Sequence, residues 1–279
     1  TEPAAGGVPT ALDLLDEGAD RARGRLLQTD PLAAADILLL TGKARLELHE
    51  FERAREDLLQ AGSLFAAHAP EAYVERSRVE QELSQLSRDL GEGEAAQRHA
   101  RAAMEFGELE HAASGNPEVL LEARVVHGMS LFAGDPQAVR DEFEAVLAQL
   151  PLHGLVDTKL HISAIDGMSA ALRQTAPEQI ERLVALAEEQ MRLSKLLDGP
   201  DSGWYASTLA DQVPTFSRAG DFVRAEQLAR EAVRIAEQAY TRPHGNRAAA
   251  HCQLAAVLHW RGRYAEAAPH FATANAIAR

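Results

Sequence analysis

The chain has 279 residues, 46% of them apolar and 5% aromatic. This composition favours a large helical core over a sheet, because strands prefer β-branched and aromatic side chains. A net charge of −14 argues against a general nucleic-acid binder, which needs a basic face. The single cysteine, Cys252, excludes an internal disulfide and a cysteine-based zinc site.

The first nine residues differ from the rest of the sequence. They contain Gly and Pro and one charged residue, Glu2, so we expect a flexible tail over 1–9. The sequence begins at Thr1 without a signal-peptide pattern, from which we expect a fragment or a processed chain. Helical signals begin at Thr10, where Thr10-Ala11-Leu12-Asp13 resembles a capping box.

A six-residue pattern recurs along the rest of the chain. It has a small or turn residue, an aromatic, Pro or Gly two positions on, and a small apolar residue three further, as in Gly220-Asp221-Phe222-Val223-Arg224-Ala225. The copies begin at positions 49, 91, 134, 175, 220 and 262, with spacings of 42, 43, 41, 45 and 42. A period this constant predicts an array of structural repeats.

The segment Gly91-x-Gly93-x-x-Ala96 has the residue spacing of a dinucleotide-binding fingerprint. A helical pattern rather than a strand precedes it, which favours an inter-helix turn.

Each period contains two helical patterns. Asp30-Pro31, Asn116-Pro117 and Asp135-Pro136 place an N-cap residue before a proline, and Pro70 and Pro177 also indicate helix starts. We therefore predict an all-α chain with one leading helix and six helix pairs, in which Pro214 kinks its helix. The predicted helices are 10–29, 32–48, 51–67, 71–89, 93–113, 117–133, 136–149, 153–174, 177–197, 203–219, 222–240, 244–261 and 264–278.

The pattern Leu254-Ala255…Gly262-x-Tyr264-x-x-Ala267…Phe271 resembles a tetratricopeptide repeat (TPR). The period is similar to the longer repeat of kinesin light chains and many bacterial proteins. The resemblance is good over 36–66 and in the last two repeats, and weaker between 117 and 197. It implies a right-handed superhelical helix-turn-helix solenoid that forms a single domain over 10–279.

The opening segments 10–19 and 38–42 are similar to the region that follows the membrane span in bacterial serine/threonine kinases with C-terminal repeats. This resemblance implies the sensor or scaffold part of such a kinase, on the extracytoplasmic (periplasmic) side. Without the kinase parentage the chain would be cytoplasmic. Related regions also occur in repeat-bearing transcription regulators.

No arrangement of residues in the sequence points to catalysis or to a metal. His-x-x-x-His and Gly-x-Ser-x-Gly are absent, so we predict no enzyme, no cofactor and no metal site. We interpret the histidines as surface or groove residues. Cys252 is predicted to be a buried small thiol.

The first helix of each pair is expected to line a concave groove, the usual binding face of such arrays. Arginine forks bind carboxylates, so we predict a groove for a protein or peptide, either an acidic or a C-terminal segment. The alternative is that many of these side chains form salt bridges with neighbouring acids. The predicted inward positions are Asp36, Lys43, Glu47, Arg78, Gln81, Gln85, Arg88, Arg124, His127, Arg173, Ser207, Arg218, His259 and Trp260.

These observations predict a non-enzymatic protein- or peptide-binding or sensor module. The alternative is a small-molecule-binding effector region of a TPR-containing transcription regulator.

The last helix carries one acidic residue, Glu266, among many alanines. We therefore also predict a weak homodimer through this helix.

Overall fold

The computed structural model describes residues 10–277, and the predicted tail at 1–9 lies outside them. Thirteen helices and no strand occur in this part of the chain, which confirms the all-α prediction of a leading helix and six pairs. We number them α1 Ala11–Arg21, α2 Pro31–Glu47, α3 Phe51–His68, α4 Tyr73–Asp89, α5 Gly93–Ser114, α6 Glu118–Ser130, α7 Pro136–Gln149, α8 Lys159–Thr175, α9 Ile180–Asp198, α10 Gly203–Arg218, α11 Phe222–Ala239, α12 Gly245–Trp260 and α13 Tyr264–Ile277.

The chain forms two compact units, one ending at Ala138 and one beginning at Val139. In the first unit α2 packs with α3, α4 packs with α5, and α6 packs against α5. In the second unit the pairs are α8 with α9, α10 with α11, and α12 with α13. The single domain over 10–279 stays a prediction. Within residues 10–277 no helix has both the length and the apolarity that crossing a membrane requires.

Four of the six pattern copies form the same turn between the helices of a pair. Their first residues have left-handed backbones, with φ of 61° at His49, 74° at Gly91, 79° at Gly220 and 74° at Gly262. In each turn the next N–H donates to the carbonyl five residues earlier, as Glu92 does to Ser87 at 2.7 Å. This 6→1 bond ends the first helix and sets where the second begins. The glycine-rich segment at Gly91 is therefore an inter-helix turn, as predicted.

The copies at 134 and 175 form different turns. Gly134 has φ −120° after a 3₁₀ turn at Leu131–Ala133, and Thr175 ends α8. The predicted helix start at 177 is wrong, because Pro177 and Glu178 lie in a turn and α9 begins at Ile180. The start predicted at 71 is likewise two residues early, since α4 begins at Tyr73.

The predicted helix start at 153 is also wrong. A 3₁₀ turn over Leu150–His153 ends at Gly154, which has φ 69°. Asp157 is left-handed too, with φ 60°. Two left-handed residues stop helix propagation, so α8 begins only at Lys159, where the Thr158 hydroxyl accepts from the His161 N–H at 3.2 Å.

The last pattern position is buried in five of the six copies, and Ile180 of the remaining copy is half-buried. Ala54, Ala96, Val139 and Ala225 are fully buried, and Ala267 is 2% exposed. A small side chain there lets the paired helices approach closely. A different close contact occurs at Gly167 of α8, where an added Cβ would clash with the Phe143 ring of α7. Pro214 lies within α10, which the structure assigns as one helix from Gly203 to Arg218.

The first unit contains a buried ion-pair network. Asp57 of α3 is fully buried, and its Oδ2 lies 2.6 Å from Nη1 of the buried Arg45 of α2. Nη2 of Arg45 contacts Oδ1 of Asp16 at 2.7 Å, and the Arg23 guanidinium also pairs with Asp57. Arg23 belongs to a π-helical turn, Ala22–Leu26, that follows α1. The network therefore connects the leading helix to the first helix pair.

We expect Asp57→Ala to lower the free energy of unfolding by roughly 3–5 kcal/mol, because it leaves two guanidinium groups without their buried partner. Urea denaturation measures this change. Asp20→Ala, at an exposed position, is the control and should change stability by less than about 0.5 kcal/mol. Equal stability of the two variants would contradict the role of the network.

The last helix exposes the alanine face on which the dimer prediction rests. Ala267 and Ala274 of α13 are buried, whereas Ala265, Ala268, Ala272 and Ala276 are exposed. Tyr264 and Phe271 are 62% and 37% exposed.

We expect light scattering over a micromolar concentration series to show weak dimerisation, because contact between two such faces removes apolar surface from water. Ala268→Glu with Ala272→Glu should abolish it by placing charges in the contact. A chain that stays monomeric throughout, with no response to the double variant, rules out this interface.

Candidate functional site

The first helices of successive pairs line a polar cavity of about 410 Å³ in the first unit. Of the predicted inward residues it contains Lys43 and Glu47 from α2, and Gln81 and Gln85 from α4. Glu82, Asp89 and Val126 complete much of the lining. Lys43 does not offer a free cation, because its Nζ lies 3.0 Å from Oε1 of Glu82.

The other basic residues predicted for this unit lie outside the lining of that cavity. Arg78 and Lys43 act electrostatically on Glu122, whose pKa is nonetheless raised, chiefly by burial and then by Glu118. Arg88 donates to Gln85, and burial lowers its pKa. Arg124 and His127 lie half-buried on α6. Arginine side chains therefore do not line this cavity.

The second unit brings predicted residues together with acids that the prediction missed. A cavity of about 340 Å³ is lined by Arg173 of α8, Arg218 of α10, and two carboxylates, Asp166 of α8 and Asp211 of α10. Pro214 also lines it. Among the residues that the structure describes, these four charged groups form no ion pair within 4 Å.

The two carboxylates interact electrostatically with each other. Loss of water raises the pKa of Asp211, the negative charge of Asp166 raises it further, and Arg173 lowers it. The pKa of Asp166 is also raised, chiefly by desolvation, although a hydrogen bond from Gln190 and the charge of Arg173 oppose this. The cavity therefore holds two neighbouring carboxylates that Arg173 does not fully compensate.

A buried chain of polar side chains fixes one of these carboxylates. Gln190 Nε2 of α9 donates to Asp166 Oδ1 at 2.6 Å, and Gln212 Nε2 of α10 donates to Gln190 Oε1 at 2.8 Å. Thr215 Oγ1 donates to Gln212 Oε1 at 3.3 Å. Gln190 and Gln212 are 6% and 5% exposed. This chain ties three helices together and orients Asp166 toward the cavity that it lines.

An apolar cavity of about 310 Å³ adjoins the polar one and shares Pro214 and Arg218 with it. Val213 of α10 and Trp260 of α12 are among its lining residues. Trp260 is 76% exposed, so a ligand can reach its ring. His259, also predicted to face inward, instead packs edge-on against Tyr264, with ring centroids 4.9 Å apart. Asp36 and Ser207 lie outside these cavities.

Both acids could have been found from the repeat itself. Asp166 and Asp211 are 45 residues apart, and so are Arg173 and Arg218. A further 42 residues along, the same two positions hold Gln253 and Trp260, which both line the apolar cavity. The signal was therefore an Asp and an Arg seven residues apart, recurring at one phase of the repeat.

The described residues contain no group of three or more His, Cys, Asp or Glu side chains that could hold a metal ion.

The sequence-based interpretations of His251 and Cys252 are wrong. His251 is 4% exposed rather than on the surface or in the groove. Cys252 is exposed rather than buried, because the neighbouring His251, Leu254 and Ala255 occupy the buried positions of α12.

No protein-family model and no curated protein matches the sequence. Solved structures do match, at low identity. BtubC (BKLC) from P. vanneervenii is 17% identical, with a TM-score of 0.63 over 96% of this chain and 91% of that one. A Podosopora anserina protein described as a kinesin light chain with nearly identical TPR-like repeats is 17% identical, with a TM-score of 0.60 over 72% and 94%. Aspartyl phosphate phosphatase F from Bacillus subtilis is 12% identical, with a TM-score of 0.64 over 96% and 68%.

These likenesses establish the fold. The chain is a TPR-like helical repeat protein, similar in architecture to kinesin light chains, as the repeat pattern predicted. One of the similar structures is a phosphatase by name, so the fold by itself does not assign a function. A functional proposal must therefore rest on the residues that line the cavities.

The buried His251 of the second unit contacts side chains from two other helices. His251 Nδ1 lies 3.0 Å from Nδ1 of His270 on α13, and His251 Nε2 lies 3.4 Å from Oε1 of Glu237 on α11. The pKa of His251 is lowered, chiefly by burial and then by His270, with Arg247 contributing and Glu237 opposing.

A folded-state pKa below the unfolded value of about 6.5 means that stability is complete above that pH and is lost as pH falls through the folded pKa. We expect the melting temperature of the wild type to fall more between about pH 7.5 and about pH 5.5 than that of His251→Gln. His68→Gln, at an exposed position, is the control and should keep the wild-type pH profile. Parallel profiles for the wild type and His251→Gln would contradict the effect of burial.

Proposed function

We propose that this chain is a non-enzymatic interaction module that binds a peptide or protein segment across the first helices of its repeat pairs. The observation that carries the proposal is the pair of adjoining cavities in the second unit. They place arginine, aspartate and tryptophan side chains from the same repeat positions on one accessible surface. Concave surfaces built from repeated positions are the usual binding faces of helical arrays.

The composition of the two cavities supports recognition rather than chemistry. Their lining offers carboxylates, guanidinium groups and an exposed indole, which suit ion pairing, hydrogen bonding and apolar contact. The serine of this lining, Ser217, donates its hydroxyl to the Val213 carbonyl at 2.9 Å rather than to a carboxylate. A partly exposed tryptophan beside an arginine is typical of the anchors that dominate binding energy at interfaces.

We further propose that the module is the regulatory or sensor part of a signalling protein, such as a bacterial serine/threonine kinase. The support is the similarity of segments 10–19 and 38–42 to the corresponding region of such kinases. Sequencing of the full gene tests this, and a kinase domain encoded ahead of Thr1 is the expected result. An uninterrupted reading frame without a kinase domain would overturn the parentage.

A second candidate is a small-molecule effector region, which the apolar cavity favours. Its volume of about 310 Å³ lies at the lower end of the range of small-molecule sites. A panel of metabolites in a thermal-shift assay distinguishes the two functions. A ligand of this kind would raise the melting temperature without any peptide present.

For the peptide function, we expect a random-peptide display library selected on the full chain to yield ligands that depend on Trp260. Trp260→Ala should weaken their binding roughly tenfold or more, because truncating a central aromatic anchor costs about 2 kcal/mol. Isothermal titration calorimetry measures the affinities.

The matched control is Trp204→Ala. Trp204 is 71% exposed on α10 and lines neither cavity of the second unit, so its loss should leave affinity unchanged. Failure to enrich any peptide, or equal loss in both variants, would overturn the peptide function.

A further inference from the structure

We propose that the two cavities of the second unit form one site for a peptide that carries a basic side chain, an acidic group about three residues further on, and an apolar side chain next to the acidic group. This inference rests on the proposed peptide function and specifies the ligand. It differs from the sequence prediction of an acidic or C-terminal segment, because the cavity has an acidic end as well as a basic end.

The charges are ordered along the two helices. Asp166 and Arg173 are seven residues apart on α8, as are Asp211 and Arg218 on α10. Seven residues are nearly two helical turns, so each pair shares one face and is separated by about 10 Å along its helix. α8 and α10 run in the same direction, since each is connected to α9 by a short turn. The aspartates therefore occupy one level and the arginines another.

The acidic end lacks a cation of its own. Asp166 and Asp211 repel each other, and no lysine or arginine nitrogen among residues 10–277 lies within 4 Å of either carboxylate. Asp166 keeps its orientation through Gln190, which binds only one of its two oxygens. A ligand ammonium or guanidinium placed between the two carboxylates would remove their repulsion and donate hydrogen bonds to both.

The basic end can hold a carboxylate. Arg173 and Arg218 come from different helices, line the same cavity, and form no ion pair with a described residue. Guanidinium forks bind a carboxylate through two parallel N–H bonds. The carboxylate can come from an acidic side chain or from a peptide C-terminus, which have the same chemistry and which the test below separates.

The spacing of the ligand groups follows from the spacing of the two ends. An extended chain advances about 3.3 Å per residue, so three residues cover the roughly 10 Å between the two levels. Arg218 and Pro214 also line the apolar cavity with Trp260. A side chain adjoining the ligand carboxylate therefore reaches that cavity, where Val213, Val257 and the Trp260 ring provide apolar contact.

Tryptophan fluorescence can report directly on this site. The chain has two tryptophans, and Trp204→Phe leaves Trp260 as the single emitter. Titrations use this full-length variant at low ionic strength, since at about 0.15 M salt charges more than about 8 Å apart are screened. Calorimetry on the wild type confirms each affinity.

Three short peptides test the order of the groups. The first is acetylated and amidated lysine-serine-serine-glutamate-leucine. The second is acetylated lysine-serine-serine-leucine with a free C-terminal carboxylate. The third exchanges lysine and glutamate in the first, which keeps length, composition and net charge. We expect the first or the second peptide to bind with a change in Trp260 emission. The affinity of the exchanged peptide should be lower by a factor of roughly ten or more. Whichever binds more tightly identifies the source of the carboxylate.

Double-mutant cycles then assign each charge to its end of the cavity. We expect Asp166→Asn with Asp211→Asn to remove the benefit of the ligand lysine, measured against norleucine. Arg173→Gln with Arg218→Gln should remove the benefit of the ligand carboxylate, measured against glutamine or a C-terminal amide. Each coupling should be about fivefold or more, and the crossed combinations should show none. The charge-matched controls are Asp20→Asn with Glu52→Gln for the aspartates and Arg101→Gln with Arg242→Gln for the arginines, all at exposed positions.

The two proposals fail in different ways. Equal binding of the exchanged peptide, no binding of any designed peptide, or no coupling in the cycles would overturn the proposed ligand. If display-selected peptides still require Trp260, the interaction module stands and only its ligand is wrong. Circular dichroism of each variant separates a loss of binding from a loss of fold.

Discussion

The chain reversal within each helix pair is the constraint on which the rest of the structure depends. A left-handed residue and the 6→1 bond that follows it fix the end of one helix and the start of the next at His49, Gly91, Gly220 and Gly262. The small buried residue five positions later then lets the two helices pack closely. Because the turn and the contact have a fixed separation, these four pairs share the same register. Within each unit, side chains at one phase of the repeat therefore recur on one surface.

This register explains how residues far apart in sequence form one site. Asp166, Asp211 and Gln253 occupy one repeat position, while Arg173, Arg218 and Trp260 occupy another. The substitutions along each row change the chemistry from a charged cavity to an apolar one without changing the backbone plan. In the first unit the positions of the same phase include Glu47, Glu82 and Asp89, and these line its cavity as well.

The sequence was sufficient for the architecture and insufficient for the charge pattern of the site. Helix pairs and the turn at Gly91 follow from period and amphipathicity. Several residues predicted to face inward line cavities, among them Lys43, Gln81, Arg173, Arg218 and Trp260. The start of α8 was missed because it depends on two left-handed residues, of which Asp157 is not a glycine. The buried state of His251 was missed because a histidine fits a buried position only beside a suitable partner, here His270. Such partners become visible only when the helices are packed.

The charged groups of the second-unit cavity differ from the two buried carboxylates that form ion pairs elsewhere in the protein. Glu226 is 8% exposed and accepts from Arg230, Arg261 and Arg263. Asp57, fully buried, is held by two arginines. Each of these two buried carboxylates is thus compensated by arginines in direct contact.

Asp166 and Asp211 are exposed in the cavity, and the charge of Asp166 raises the pKa of Asp211. Arg173 and Arg218 line the same cavity but stay beyond ion-pair distance of both carboxylates. Uncompensated groups concentrated at one accessible surface are the usual mark of a functional site, because the missing interactions are those that a ligand supplies.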